Sequence, residues 1–196
     1  MSIQFKMVIG EEIKKYIPEL AWLRISVFRE FPYLYDGSEA YEKEYLSTYL
    51  RSPLSVFVLA LNNESVIGAA SGTPLTQETD EVQKPFIDQG IDPKNVFYFG
   101  ESVLLKQYRG QGIGKMFMQE RENHALKHNF PITAFCGVVR PDDHPRRPSD
   151  FRPLDTFWMK YGYQKQSKMI TEFIWQDLDE ETASPKKMMF WMKKHR

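Results

Sequence analysis

Apolar and polar positions along this chain change period repeatedly, and each change marks an element. Residues 3–9 alternate apolar with polar side chains, the period of a half-buried strand. Over 11–31, Ile13, Ile17, Leu20, Leu23 and Val27 return at three- and four-residue spacing. That predicts a helix, kinked or restarted by Pro18. Residues 32–38, PYLYDGS, are a loop closed by a turn at Asp36-Gly37. A second helix is expected over 39–50, with Tyr41, Tyr45 and Tyr49 along one face. The apolar runs 55–61 and 65–73 flank Asn62-Asn63-Glu64 and predict a β-hairpin.

Residues 76–95 are polar and carry Pro85, Gly90 and Pro93, so a long excursion with one helix is expected. An aromatic-rich strand starts at Val96, followed by a helix over 112–128 and a strand over 131–139. Four prolines make 140–153 a loop, and 154–161 is a helix ended by Gly162. Strands over 169–178 and 186–193 close the chain. Strand–helix–strand alternation in the middle predicts a parallel pair inside a mixed sheet, an α/β (α+β) fold.

The segment VFYFGESVLLKQYRGQGIGKMF, residues 96–117, carries the strongest chemical signal. Strand, glycine-rich turn and helix follow one another, which leaves unpaired N–H groups at the positive end of a helix dipole. Such a turn cradles phosphate or pyrophosphate. A P-loop is excluded, because position 109 is Arg and position 116 is Met where Gly and Ser or Thr are needed. A dinucleotide fingerprint fails too, since its third glycine would fall on Lys115 or Phe117. Arg109, Gly112 and Gly114 do stand in Arg-x-x-Gly-x-Gly register. That register resembles the acyl-CoA-binding signature of the GNAT superfamily of N-acetyltransferases.

Composition narrows the classes. At 196 residues the default is one domain, 1–196, with one substantial core. Lys+Arg and Asp+Glu both total 26, so no basic face is on offer for nucleic acid. No apolar run approaches the ~20 residues of a membrane span, and the N-terminus lacks a signal-peptide pattern. Cys136 is the sole cysteine, so no intrachain disulfide forms, in keeping with a reducing cytosol. The histidines at 124, 128, 144 and 195 make no metal-binding pattern.

The resemblance covers nearly the whole chain. The element order is similar to that of the N-acetyltransferases, which implies a mixed, mostly antiparallel central sheet flanked by helices. Residues 155–163, DTFWMKYGY, resemble the family's late signature, an aromatic pair followed by Gly-aromatic. More narrowly, VVRPDDHPRRPSDFRPLDTFW is similar to a bacterial subgroup of unassigned substrate. The resemblance implies acetyl-CoA as co-substrate and no metal. It places the cofactor on the strand residues Val103, Leu104 and Leu105 and on the turn Arg109, Gly110, Gln111, Gly112, Ile113, Gly114 and Lys115. It implies a small-molecule or peptide amine as acceptor, with neither nucleic acid nor membrane as partner. A homodimer is compatible with it. A CoA-binding sensor without catalysis and a transferase of longer acyl chains remain as alternatives.

Gly100 and Gly137 mark either a strand bulge or room for a bulky neighbour. Glu101 sits in an otherwise apolar strand, where a carboxylate is desolvated and its pKa raised; it is the candidate base, the other reading being a surface pair. The family's acid is a Tyr at the position that Trp158 holds here. Tyr161 is the replacement candidate and Tyr163 the next, unless both are packing aromatics. Tyr33, Tyr35 and Asp36 form either an amine pocket through cation–π contact and charge or a packed loop. Asp142, Asp143, His144, Arg146 and Arg147 line the acceptor entrance or hold their loop by ion pairs.

Overall fold

The computed structural model describes residues 3–195. Eight strands form one mixed sheet: β1 (Ile3–Ile9), β2 (Val56–Asn62), β3 (Ser65–Pro74), β4 (Val96–Tyr98), β5 (Ser102–Leu104), β6 (Ile132–Val138), β7 (Gln164–Trp175) and β8 (Ser184–Lys194). The order is β1-β2-β3-β4-β6-β8-β7, with β5 also on β3. Only β4 and β6 run parallel; the other pairs are antiparallel.

Among the described residues five α-helices cover the sheet: α1 (Ile17–Phe28), α2 (Glu39–Ser47), α3 (Asp80–Asp88), α4 (Ile113–Lys127) and α5 (Asp155–Lys160). Pro18 restarts the first helix: a 3-10 stretch over Gly10–Tyr16 precedes it, and the proline occupies the first turn, where its missing N–H costs nothing. Ser38 caps α2, its hydroxyl accepting from the Tyr41 N–H at 3.3 Å. The expected helix over 39–50 tightens to 3-10 from Thr48. Strand β7 starts five residues earlier than its pattern predicts. Its beginning, Gln-Lys-Gln-Ser-Lys, is solvated edge strand with no apolar face to read, and its pairing slips between Lys165 and Ile170.

Both faces of β2 are covered, so its pattern is continuous rather than alternating. Phe57 and Leu59 pack under α1 and α2, while Val58 and Ala60 pack under Ile113 and Phe117 of α4. On the other half of the sheet Phe86 of α3 meets Phe190 edge-on at 5.0 Å. Each fully buried side chain of this kind contributes about 1.5–3 kcal/mol.

One strand is not continuous. The run that starts at Val96 pairs with Thr73 and Pro74 through β4, breaks at Phe99–Gly100–Glu101, and resumes against Gly68–Ala70 as β5. Phe97 and Phe99 belong to the core cluster on the α4 side, whereas Val103 belongs to the cluster under α1 and α2. Strict alternation would put all three on one face, so the chain slips by one residue at Gly100. On the other edge, β4 follows β6 only as far as the bond from the Phe99 N–H to the Ala134 carbonyl, 2.8 Å. Beyond it β5 stays with β3 and β6 stays with β8, and the sheet splits into a V.

Candidate active site

The V holds a cavity of about 350 Å³ whose walls come from both faces of the sheet. Phe28, Tyr33 and Glu101 line it on the α1–α2 side, and Met118, Arg121 and Trp158 on the α4–α5 side.

Glu101 is 5% exposed. Its Oε2 takes the Arg24 Nη1 at 2.8 Å, the Tyr45 hydroxyl at 3.3 Å and the Tyr49 hydroxyl at 3.4 Å. Arg24 in turn pairs through Nε with Glu42, which is fully buried, and lies over the Tyr45 ring at 4.3 Å. The second oxygen, Oε1, is buried with no protein partner. Burial pushes the Glu101 carboxyl above its ordinary value, the Arg24 charge pulls it back, and Glu42 pushes it up again. One oxygen is fixed and the other has no protein partner. Glu78, after the 3-10 turn that ends β3, feels the same charge: burial and then Glu101 raise its carboxyl to about 7.

Across the cavity stands Arg121, 2% exposed. Its Nη1 donates to the carbonyls of Ser71 and Glu101 at 3.0 and 3.1 Å, and its Nη2 to Ser102 Oγ at 2.8 Å. Nε bonds the Phe117 carbonyl at 3.1 Å, and the guanidinium lies over Phe99 at 4.1 Å. It therefore holds the two strands together across the break, by carbonyls and a hydroxyl rather than by a carboxylate. Burial lowers its pKa to about 10, so it remains charged at neutral pH. Ser71 completes the clasp: its N–H donates to the Glu101 carbonyl and its Oγ accepts from the Glu101 N–H, both at 3.0 Å.

The glycine turn lies where β5 leads into α4. Gly110 and Gly112 have φ of +77° and +83°, which an L side chain rarely adopts, and a Cβ at either would meet nothing within 4 Å. The backbone angle, not crowding, requires glycine there. Gly112 is the N-cap of α4 and no side chain caps the helix, so its first N–H groups face outward, as an anion cradle needs. Arg109 braces the turn instead of reaching out, with a bidentate pair to Glu30 at 2.8 and 3.1 Å and Nε on the Leu104 carbonyl at 3.1 Å. Strand β5, which contains Val103 and Leu104, pairs with β3 on one edge and presents its other edge to the split.

Residues 20–148 match the model of the Acetyltransferase (GNAT) family. The chain belongs to this family. The matched span contains Arg24, Glu101, the glycine turn and Arg121. Among solved structures, it is similar to Arabidopsis thaliana NAA60 in complex with a bisubstrate analogue, with a TM-score of 0.64, 11% identity and full coverage of both chains. It is similar to the ribosomal-protein-alanine N-acetyltransferase of Brucella melitensis, TM-score 0.62 and 11% identity over 96% of this chain and 99% of that one. It also matches the PaiA N-acetyltransferase of Thermoplasma acidophilum in complex with coenzyme A, TM-score 0.54 and 15% identity over the whole of both. At such identities the likeness is one of fold. No curated protein sequence matches the chain.

Within this GNAT domain the other sequence-predicted residues separate. Gly100 is a close approach as well as a bulge: a Cβ there would run into the Tyr49 hydroxyl and reach Ser71 Oγ at 2.7 Å. Gly137 only makes room, since its Cβ would sit 3.1 Å from the Trp158 ring. Trp158 is wedged between Phe135 and Trp191, centroids 5.0 and 5.1 Å away. Tyr161 stacks on Phe157 at 4.9 Å and is not brought to the cavity with Glu101. Tyr163 is buried, its hydroxyl on Thr133 Oγ1 at 2.8 Å. Of the loop trio only Tyr33 lines the cavity; Tyr35 bridges to Asp177 and Asp36 pairs with Arg29 at 3.1 Å. The loop after β6 is held by ion pairs, and of the five residues expected at the entrance two also reach the cavity. Asp142 and Arg147 line the mouth while pairing with each other at 2.8 Å, and Arg146 pairs with Asp179 at 3.4 Å. Cys136 is buried beside the Tyr98 hydroxyl, and burial pushes its thiol up to about 12. Among the described residues no cluster suits a metal, and no helix is long and apolar enough to cross a membrane.

Sequence reasoning missed Arg24, Glu42, Glu78 and Arg121. Three carry a readable signal, a charge on an apolar stripe: Arg24 continues Ile17, Leu20 and Ala21; Glu42 precedes Leu46 and Tyr49; Arg121 follows Ile113 and Phe117.

Proposed function

We propose that this GNAT domain moves an acetyl group from acetyl-CoA to a primary amine of a small molecule or peptide, in a reducing cytosol. The observation that carries the reading is the Glu101 carboxylate, buried at the split with one oxygen unpartnered, one strand away from an uncapped glycine turn. In this reading the N–H groups of residues 110–115 hold the pyrophosphate, and the free edge at Val103, Leu104 and Leu105 meets the pantetheine arm. A backbone N–H at the Gly100 bulge polarises the acyl carbonyl. An alkylammonium, pKa ~10, gives a proton to Glu101, and the neutral nitrogen attacks the carbonyl carbon. The C–N bond forms and the C–S bond breaks. The nitrogen sheds its second proton, which the departing thiolate takes back through water. No phenol from α5 is required for that, in line with Trp158 at the wall and Tyr161 away from it.

Coenzyme A and acetyl-CoA are expected to bind by calorimetry, and NAD and ATP much more weakly. Gly112→Val should abolish most of that binding, since a β-branched residue in the left-handed region costs roughly 1–2 kcal/mol and pulls the turn's N–H groups out of place. A folded wild type that binds no coenzyme A sinks the assignment. Trp158→Phe should leave turnover nearly intact, and so should Tyr161→Phe; a large loss in the latter would make that hydroxyl the acid after all. Trp158 also favours a second reading, a coenzyme A sensor. Coenzyme A binding with no acetyl-CoA consumption over a panel of amines, amino acids and peptides would select it.

A further inference from the structure

Resting on the transferase reading, we propose that the acceptor is an arylalkylamine: one primary ammonium on an aromatic body, with no carboxylate and no second cation. The acceptor half of the cavity is an aromatic box. Phe31 meets Phe151 edge-on at 4.7 Å, and Phe28 meets Tyr33 at 4.6 Å, so the loop after α1 and the loop after β6 close on each other through rings. All four line the cavity.

The charges on the same walls are already spent. Arg140 gives Nε to the Pro32 carbonyl and Nη2 to the Tyr33 carbonyl, both at 2.7 Å, and pairs with Asp177 at 2.7 Å. Arg147 is held by Asp142 at 2.8 Å and lies 5.2 Å over the Phe151 ring. Lys165 pairs with Asp155 at 3.3 Å, and Arg121 is committed to backbone carbonyls. An acceptor carboxylate in this box would have to take Arg147 from Asp142 or Lys165 from Asp155, or else stay unpaired, and burying it unpaired is costly. A second ammonium is no better placed: Asp142 is engaged by Arg147 and Asp155 by Lys165, and Glu78 does not line the cavity. What remains is one buried carboxylate oxygen, on Glu101, at the end of a box of rings. That matches a single ammonium carried on a ring, with the rings taking up both the cation and the apolar body.

The test uses the full chain saturated with coenzyme A and measures binding of phenethylamine, phenylalanine and 1,4-diaminobutane by calorimetry, with acetylation of each followed separately. Phenethylamine is expected to bind ~10-fold or more tightly than either competitor, the scale set by an unpaired buried charge. Phe151→Ala should weaken phenethylamine several-fold and leave coenzyme A affinity within twofold, and Phe151→Leu should fall between. Phenylalanine or the diamine binding as tightly as phenethylamine would overturn the assignment, as would phenethylamine failing to bind protein that binds coenzyme A. Phenethylamine bound with the expected selectivity but not acetylated upholds the box and overturns the transferase reading instead.

Discussion

Glu101→Gln is expected to lower turnover at neutral pH by ~10²-fold or more, the usual loss when a general base is removed. The amide keeps the size of the side chain and an oxygen for Arg24, Tyr45 and Tyr49, so the local packing survives. Proton acceptance does not. Coenzyme A affinity should stay within about twofold, as for an ordinary substitution outside the binding turn. In the wild type the rate should rise with pH as Glu101 ionises, at a pH above the ordinary 4.5 because burial favours the neutral acid. That limb should be missing in the variant, whose rate recovers only at high pH, where the amine is already neutral. Stability supplies an independent check of sign. A carboxyl raised on folding contributes stability below its unfolded pKa and loses it as pH rises through its folded value. Wild type should therefore lose stability relative to the variant as pH climbs from about 4.5. A pH–rate profile unchanged in the variant would remove Glu101 from the reaction and leave water as the acceptor.

Gly100→Ala should be strongly damaging to both stability and turnover. The added carbon runs into the Tyr49 hydroxyl and into Ser71 Oγ, which together position the Glu101 carboxylate and its backbone. Neither is the loose end of a long side chain: Tyr49 is 3% exposed and packs edge-on against Phe57 at 4.9 Å. Overpacking of this kind costs about 1–3 kcal/mol, a fall in melting temperature on the order of 5 °C for a chain this long. Turnover should fall more than stability suggests, because the displaced groups are those that hold the proposed base, Glu101. Gly137→Ala is the control: its carbon meets only the edge of the Trp158 ring, and a smaller loss in both measurements is expected. Equal losses at the two positions would mean that Gly100 is no more than a spacer.

Local patterns were legible in the sequence and distant partnerships were not. The turn could be read because its glycines, its strand and its helix are contiguous, and the register of Arg109, Gly112 and Gly114 excludes other phosphate loops. Glu101 could be read because a carboxylate in an apolar strand is costly unless something offsets it. What offsets it could not be read: Arg24 lies 77 positions earlier, and its meeting with Glu101 depends on how α1 crosses the sheet. The break at Gly100 was half visible, as a strand glycine, but its consequence depends on β5 staying with β3 while β6 follows β8. Tyr161 shows the opposite limit. Three residues from Trp158 on a helix, it is near in sequence, yet α5 turns it onto Phe157 and away from the split.

The state of Cys136 bears on the order of events during transfer. This is the one thiol in the chain, and it lines the same cavity as Glu101. Held near a pKa of 12 by burial and sharing a hydrogen bond with Tyr98 at 3.0 Å, it is kept as an inert thiol. A thiol held protonated in this way is a poor store for an acyl group between two half-reactions. For the proposed transfer this leaves direct passage from sulfur to nitrogen, with donor and acceptor held in the site together.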